Sequence, residues 1–314
     1  MTVDLRPLSP DDFDRRRPRL IATFADDLVE NSGVTWAQAE AEATRQIATM
    51  LPAGVDTPGQ ILRKAVDDDG TEIGFIWIAA SGTSHPDMAW VGVIEVQREA
   101  RSRGIGSRMM LAAEDDLRRR GTARLGLHVF GHNTGAQRLY TRLGYGILNQ
   151  IWQRPARLDD DPGVELRPVP ADVAAEMIDG LVATDPAGVA RDPEASIEGA
   201  RRYVREIAPH GLDAPEVLIR AAYSGGRRVG WIWFGLPTPQ HPAVGVVSHI
   251  EVLPGERRRG HGRAMVAAAA AELARRDVAY IGLDVPGTRH AALAFAASAG
   301  LGFEMISQQM VKTL

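Results

Sequence analysis

A basic, glycine-containing segment between a strand pattern and a helix pattern is the part of this sequence best suited to chemistry. Residues 101–106 read Arg-Ser-Arg-Gly-Ile-Gly and follow the β-branched run Val91–Val96. The apolar residues that share one face of the following helix are Ile105, Met109, Ala112, Ala113 and Leu117. Glycines at a helix start leave backbone N–H groups unpaired at the positive end of the helix dipole. The sequence therefore predicts a binding site for an anion such as phosphate.

The residues after the second glycine exclude two common phosphate loops. A Walker A loop needs Gly-Lys-Ser/Thr, whereas Gly106 is followed by Ser107 and Arg108. A dinucleotide fingerprint needs a third glycine where Met109 stands. The remaining pattern, R-x-x-G-x-G after a strand, resembles the pyrophosphate loop of the GCN5-related N-acetyltransferases (GNAT family). This resemblance implies acetyl-coenzyme A as co-substrate, bound by Arg101, Ser102, Arg103, Gly104, Ile105, Gly106 and Ser107.

The chain carries this framework twice. Ile94-Glu95-Val96 recurs as Ile250-Glu251-Val252, and the basic glycine loop recurs at residues 257–262. Leu5-Arg6-Pro7 recurs as Leu166-Arg167-Pro168. Because a chance loop would not bring a whole framework with it, we interpret the sequence as an internal duplication. The resemblance then implies a second cofactor cradle formed by Val252, Arg257, Arg259, Gly260 and Gly262.

Composition limits the class of protein. The 314 residues, 45% of them hydrophobic, are enough for two globular domains. A net charge of −4 argues against a general nucleic-acid binder. Without cysteine there is no disulfide and no thiolate metal site, and we predict no metal. No apolar signal region or membrane-length run is present, so we expect a cytoplasmic protein with no membrane partner, either a pseudo-dimeric monomer or a homodimer.

The order of elements predicts the fold of each half. Strand, helix and turn patterns alternate as strand, helices, strands, helix, strand, helix, strand, which predicts an α/β class. This order resembles the GNAT fold, a mixed central sheet flanked by helices, here in tandem. We predict domains at 1–157 and 164–314 with a charged linker at 158–163. A capping box at Thr35 opens a helix whose predicted inner face is Trp36, Ala43, Ile47 and Met50.

A second family signature lies in the first half. Asn133 and the run Tyr140-x-x-x-Gly144-Tyr145 resemble the family's N-x-x-A…Y-x-x-x-G-F/Y pattern. The resemblance implies that Tyr140 protonates the departing thiolate, since a phenol with pKa near ~10 is protonated at neutral pH. The alternative is an aromatic ring packed on its own helix. For Asn133 the resemblance implies a contact to the pantetheine arm, and the alternative is a helix N-cap.

The resemblance also assigns roles to the strand before the loop. The family lays the cofactor along this strand, which implies contacts from Ile94 and Val96, and a backbone N–H near Val96 that polarises the acetyl carbonyl. Glu95 is a candidate base for the incoming ammonium, or else the partner of an arginine. His85-Pro86 and His241-Pro242 precede the two strands, either as bases or as turns retained from the ancestor.

The two halves differ at the signature. Asn133 becomes Arg289 and Tyr140 becomes Ala296 in the second copy. We therefore predict an N-acetyltransferase of a small-molecule or peptide primary amine, with Tyr140 and Glu95 as catalytic residues and a structural or cofactor-cradling second half. The alternative is a non-catalytic acyl-coenzyme A binding or sensing protein. In size and layout the chain also resembles mycothiol synthases, but that resemblance implies an intact signature in the second half.

Overall fold

The chain folds into two compact units whose boundaries differ from the two halves of the sequence. The computed structural model describes residues 3–32, 34–82, 88–158, 163–169, 198, 217–237 and 243–314. Unit 1 comprises Met1–Ile151, Val285–Leu293 and Met305–Leu314, and unit 2 comprises Trp152–Asp284 and Ala294–Glu304. Two segments of the predicted second domain therefore belong to the first unit. Most of the predicted linker lies outside the described residues.

Strands and helices alternate as the sequence patterns predict. The strands are β1 (Asp4–Pro7), β2 (Gln60–Val66), β3 (Glu72–Ala79), β4 (Ala89–Val96), β5 (Arg124–Phe130), β6 (Gly146–Pro155), β7 (Glu165–Pro168), β8 (Val217–Ser224), β9 (Arg227–Gly235), β10 (Val244–Val252), β11 (Tyr280–Pro286) and β12 (Glu304–Thr313). The α-helices of the described residues are α1 (Pro10–Ser32), α2 (Trp36–Met50), α3 (Ile105–Arg119), α4 (Thr134–Arg142), α5 (His261–Ala274) and α6 (His290–Ala296). Within the described ranges, no helix is long and apolar enough to span a bilayer.

The predicted capping box starts α2. The Thr35 side chain accepts the Gln38 N–H, and the Gln38 side chain accepts the Thr35 N–H in return. Ala39, Ala43 and Ile47 are buried along one side of the helix. The prediction that Trp36 lies on this inner face is wrong, because the residue is 45% exposed. It occupies the first helical position, ahead of the first buried residue.

The sheet of unit 1 is completed by the last strand of the chain. Its order is β1-β2-β3-β4-β5-β12-β6, with residues 146–151 of β6 in this unit. Neighbours are antiparallel along β1 to β4, β4 and β5 are parallel, and β12 is antiparallel to β5. The β5–β12 ladder runs from Phe130–Ser307 to Arg124–Thr313. This long ladder is why residues 305–314 belong to unit 1.

The two faces of this sheet carry different helices. Helices α3 and α4 pack on one face, where Leu127 and Val129 of β5 join Met109 in a buried cluster. Helices α1 and α2 pack on the other face, where Phe75 and Trp77 of β3 are buried. Alternation along each strand thus assigns neighbouring residues to opposite helical layers.

Unit 2 repeats the framework. Its described strands include the order β11-β10-β9-β8-β7, in which β10 and β11 are parallel and the other three pairs are antiparallel. Residues 152–155 of β6 lie in this unit, and Ala156 N–H donates to Ala279 O at 2.9 Å. Helix α5 packs closely on β10. A Cβ added at Gly245 would lie only 2.5 Å from the Leu273 side chain, so only glycine fits at this position.

Candidate active site

A gap opens between β4 and β5 of unit 1. Their parallel pairing ends at Val91–Leu127, whereas the pairing of β4 with β3 continues to Val96–Gly74. Because Gln97 N–H donates to Ile73 O on β3 at 2.9 Å, the strand alternation directs the backbone groups of Ile94 and Val96 to the opposite edge. The N–H groups of both residues therefore face the gap. This is the edge along which the predicted cofactor would lie.

A β-bulge adjusts β4 where the gap begins. Trp77 faces Val93 across the ladder, but the next residue, Ile78, faces Val91, which leaves Gly92 as an extra residue. A bulge of this kind increases the local twist of a strand. It accounts for the separation of β4 from β5 beyond Val91.

The predicted anion loop has the geometry that an anion site requires. Gly104 has φ +74° and precedes α3, and no side chain caps the helix. The first helical hydrogen bond runs from Arg108 N–H to Gly104 O at 3.2 Å. Within the described part of the chain, residues 105–107 therefore have backbone N–H groups with no helical acceptor. These groups fit a pyrophosphate.

A side-chain contact holds the loop at the end of β4. Arg101 donates from Nε to the Val96 carbonyl oxygen at 3.0 Å. Ser102 has φ +62°, an unusual value for a residue with a side chain. Arg101 therefore couples the conformation of the loop to the open edge of β4. Arg103 is exposed and lies next to Gly104.

Gly106 allows α3, α4 and β4 to approach one another. A Cβ at this position would lie 3.1 Å from Leu139 Cδ1 and 3.8 Å from Val96 Cγ2. Glycine therefore allows the close approach that a larger residue would disturb. The same contact places α4, and with it Tyr140, beside the anion loop.

Tyr140 is a buried phenol on α4. Tyr140 is 5% exposed, and its ring packs edge to face on the ring of Tyr145 with centroids 5.9 Å apart. Burial raises the pKa of Tyr140 to about 12. No hydrogen bond to its hydroxyl is found within the described ranges. The predicted acid is therefore protonated throughout the neutral range.

Asn133 caps a helix and Glu95 forms ion pairs with arginines. The Asn133 side chain accepts the Ala136 N–H at 3.1 Å and caps α4. The Glu95 carboxylate lies against two guanidinium groups of α1, those of Arg16 and Arg19. The side chain of Glu95 is 21% exposed. Its negative charge is thus already paired within the protein.

A buried charge cluster that no sequence pattern predicted lies behind Tyr140. Glu114 on α3 is 0% exposed and accepts hydrogen bonds from Tyr145 Oη at 3.1 Å and from Lys312 Nζ at 2.6 Å. Arg118 adds a contact at 3.3 Å. Burial and the Glu114 carboxylate raise the pKa of Tyr145. The signal in the sequence was a charged residue, Glu114, on the inner face of α3. Its partner Lys312 lies 198 positions away, so no local pattern links the two.

The loop of unit 2 has the same backbone conformation. Gly260 has φ +85°, Arg258 repeats the φ of +62°, and Arg257 Nε donates to Val252 O at 3.0 Å. Gly262 again lies beneath a neighbouring helix, with a Cβ position 3.3 Å from Phe295. The duplication predicted from sequence is confirmed by this agreement in geometry.

The charges around the second loop differ from those around the first. Glu256 contacts Arg227 at 2.9 Å, His261 at 3.4 Å and Arg259 at 3.5 Å. The corresponding residue of the first half is Ala100. A carboxylate of the protein therefore lies against Arg259, one of the side chains expected to attract a phosphate in unit 2. The replacement for Tyr140, Ala296, is buried and has no proton to give.

Some predicted residues are not placed. His85-Pro86 and His241-Pro242 lie outside the described residues. Among those that are described, no cluster of three or more His, Asp or Glu side chains could hold a metal ion.

Several known proteins are similar to this chain in sequence. The model of the acetyltransferase (GNAT) family matches residues 21–145 and 187–303. The uncharacterized N-acetyltransferase YdgE of Bacillus subtilis is 25% identical over 151 residues, which are 48% of this chain and 95% of that protein. A mycothiol acetyltransferase of Paenarthrobacter aurescens is 26% identical over 292 residues, 81% of this chain and 88% of that protein.

Solved structures are similar as well. A GCN5-related N-acetyltransferase from Sphaerobacter thermophilus aligns with 99% of this chain and 95% of its own, with 20% identity and a TM-score of 0.49. The two matches of the family model together span more than half of the sequence. The chain therefore belongs to the acetyltransferase (GNAT) family, and it carries two domains of that family in tandem.

Proposed function

We propose that this protein is an acetyl-coenzyme A-dependent N-acetyltransferase whose chemistry takes place in unit 1. The acceptor is the primary amine of a small molecule or a peptide. The observation that carries this proposal is the gap between β4 and β5, which has the anion loop at one end and Tyr140 on the adjoining helix. Family membership supports acetyl transfer, and this geometry supports assigning it to unit 1.

Binding would use backbone groups more than side chains. The N–H groups of residues 105–107 would donate to the pyrophosphate, whose negative charge the dipole of α3 would favour. The edge of β4 offers the N–H groups of Ile94 and Val96 to the amide-containing arm and to the acetyl oxygen. Acetyl-coenzyme A supplies the activated acetyl thioester, and the protein positions this thioester.

Tyr140 is suited to hydrogen bonding with the sulfur that leaves. A thiol has an ordinary pKa of about 8.5, so complete transfer of a proton from a phenol with a pKa of about 12 would be uphill by roughly 5 kcal/mol. Donating a hydrogen bond to the developing thiolate avoids this cost and still stabilises the transition state. We therefore assign Tyr140 to stabilising the thiolate, which takes its proton from water after it leaves.

Glu95 is poorly suited to accept the proton of the amine. An incoming ammonium would approach a carboxylate that already contacts Arg16 and Arg19. The two guanidinium groups would repel the ammonium, and the carboxylate would have to give up an ion pair before it could accept a proton. The structure thus favours the role of an ion-pair partner that holds α1 on the sheet.

The second unit would serve as a scaffold. Its loop has the right backbone, but the carboxylate of Glu256 would repel a pyrophosphate, and Tyr140 is replaced by Ala296. The alternative function is acyl-coenzyme A binding or sensing without catalysis. The loss of the tyrosine in unit 2 would support this alternative only if unit 1 had lost its tyrosine too, but unit 1 keeps Tyr140.

The test is amine-dependent release of thiol. The full-length protein would be incubated with acetyl-coenzyme A and a panel of primary amines, with tertiary amines as controls, while coenzyme A binding is measured separately by calorimetry. We expect thiol release with a subset of the primary amines. Binding without amine-dependent release would support the sensing alternative, and absence of binding would contradict both functions.

A further inference from the structure

One histidine of unit 1 stands at the start of the gap. His128 is the first residue of β5 beyond Leu127, the last one paired with β4. On its other side β5 remains paired, with His128 opposite Gln309 of β12. The strand edge next to His128 is therefore open toward β4 while its position is held from behind by the β5–β12 ladder.

The side chain of His128 faces away from Tyr140. Its neighbours Leu127 and Val129 are buried in the cluster that contains α3, α4 and Tyr140. Because side chains alternate along a strand, His128 lies on the opposite face of the sheet, where it is exposed to solvent. The gap is thus bordered by an imidazole on one face and by a phenol on the other.

An aromatic ring packs against this imidazole, and two others lie nearby. Phe130 lies edge-on to His128 with centroids 4.9 Å apart, and His132 stacks on Phe130 at 5.7 Å. Further back, the ring of Trp90 covers Gly126, where a Cβ would lie 2.5 Å from it. The rings of Phe130 and Trp90 can hold the carbon skeleton of an acceptor next to the imidazole, whereas His132 contacts Phe130 and lies one ring further away.

We propose that His128 is the general base that removes the proton from the acceptor amine. This inference rests on the proposed acetyl transfer and names a residue for which neither the motif nor the family match gives a role. Geometry carries it: the imidazole and the phenol border the reacting position from opposite faces, so the amine can approach from one face while the sulfur departs toward the other.

The groups near His128 leave its imidazole free to accept a proton. Within the described residues, no hydrogen bond or ion pair involves its ring. Its neighbours on β5 and β12, which are Gly126, Phe130 and Gln309, are uncharged, and the charged group on the same face of β4 is Glu95 with its arginine partners. Although the side chain of His128 reaches solvent, the protein atoms packed around its ring lower its pKa by desolvation, which favours the neutral imidazole.

The proton balance of the reaction is complete with this assignment. The neutral imidazole takes one proton from the ammonium, and the free amine attacks the carbonyl carbon of the thioester. A second proton passes from the nitrogen to water as the C–S bond breaks, the imidazolium returns its proton to water, and the thiolate, hydrogen-bonded to Tyr140, takes up one proton from water. One proton is released overall for each amide formed.

The duplication offers an internal comparison. Adding 156 to the number of His128 leads to Asp284, just as it leads from Tyr140 to Ala296. Both groups that border the gap in unit 1 are thus changed in unit 2. This is the pattern expected if the two act together in one reaction.

The test compares His128→Gln with His132→Gln, a matched change on the neighbouring exposed histidine. At saturating acetyl-coenzyme A, His128→Gln should lower kcat/KM for the amine about 10²-fold at pH 7. The rate of this variant should then rise tenfold per pH unit, because only spontaneously deprotonated amine reacts, and its deficit should shrink near pH 10. His132→Gln should keep the wild-type profile, and both variants should keep their affinity for coenzyme A.

A direct titration provides a second measurement. The ring signals of His128, followed by NMR in the protein bound to coenzyme A, should titrate with a midpoint equal to the acidic limb of wild-type kcat/KM. A mismatch, or a His128→Gln variant with wild-type rate and profile, overturns the assignment of the base alone. A wild-type protein that releases no thiol with any amine overturns the proposed transfer itself.

Discussion

Tyr145 links the phenol at the gap to the last strand of the chain. Its ring packs edge-on against the Tyr140 ring at 5.9 Å, and its hydroxyl donates to Glu114, which also accepts from Lys312 on β12. The position of Tyr140 is therefore supported by a residue from the opposite end of the sequence.

Replacing Tyr140 by phenylalanine should reduce turnover about 10²-fold, because the ring and its packing remain while the hydrogen bond to the thiolate is lost. The affinity for coenzyme A should stay constant. Since the pKa of Tyr140 is about 12, wild-type turnover should show no basic limb from this residue below about pH 11. Thiol release from pH 6 to 10 and calorimetry check this, and wild-type turnover in the variant would reduce Tyr140 to packing.

Gly104→Ala should weaken acetyl-coenzyme A binding and turnover, whereas Gly260→Ala should leave turnover nearly unchanged. Both glycines have positive φ, +74° and +85°, so each substitution carries a similar backbone cost of about 1–2 kcal/mol. The two variants are thus matched in stability and differ in which loop they alter. Loss of activity from the Gly260 variant alone would show that the active unit has been assigned incorrectly.

Lys312→Met should destabilise the protein by about 3 kcal/mol, because it leaves the fully buried Glu114 carboxylate with a weaker set of partners. Arg119→Met is a suitable control, since its contact with Asp116 is exposed and should contribute less than about 1 kcal/mol. Chemical denaturation measures both. Adding Glu114→Gln to Lys312→Met should recover part of the loss, and equal effects of the two single lysine and arginine changes would contradict the role of the cluster.

Residues 1–157 expressed alone should not form a stable domain, although they contain every residue that we place in the reaction. Without β12 the fragment leaves the edge of β5 unpaired from Arg124 to Phe130 and removes Lys312 from Glu114. Adding a separate fragment of residues 158–314 should restore the fold if association is possible. Circular dichroism and thermal unfolding provide the measurement, and a cooperative, active 1–157 fragment would show that β12 is dispensable.

Local patterns gave reliable predictions where the physical cause is itself local. The capping box at Thr35, the glycine conformation at Gly104 and the N-cap at Asn133 all depend on atoms within a few residues, and all are found in the structure. The pattern of α2 failed only at Trp36, where the periodicity was extended to the end of the helix. A repeat of 156 residues was visible because both copies keep the same glycines at the same backbone positions.

The sequence by itself determined the family, the duplication and the glycine loop before α3, because glycine spacing and strand–loop–helix order express backbone requirements directly. Only the tertiary structure decided which strand completes unit 1, which carboxylates are already paired and which face of β5 carries His128. Glu95 and Glu114 look alike in the sequence, yet one contacts Arg16 and Arg19 and the other is buried against Lys312. Such pairings depend on contacts between residues far apart in the chain, and no local pattern records them.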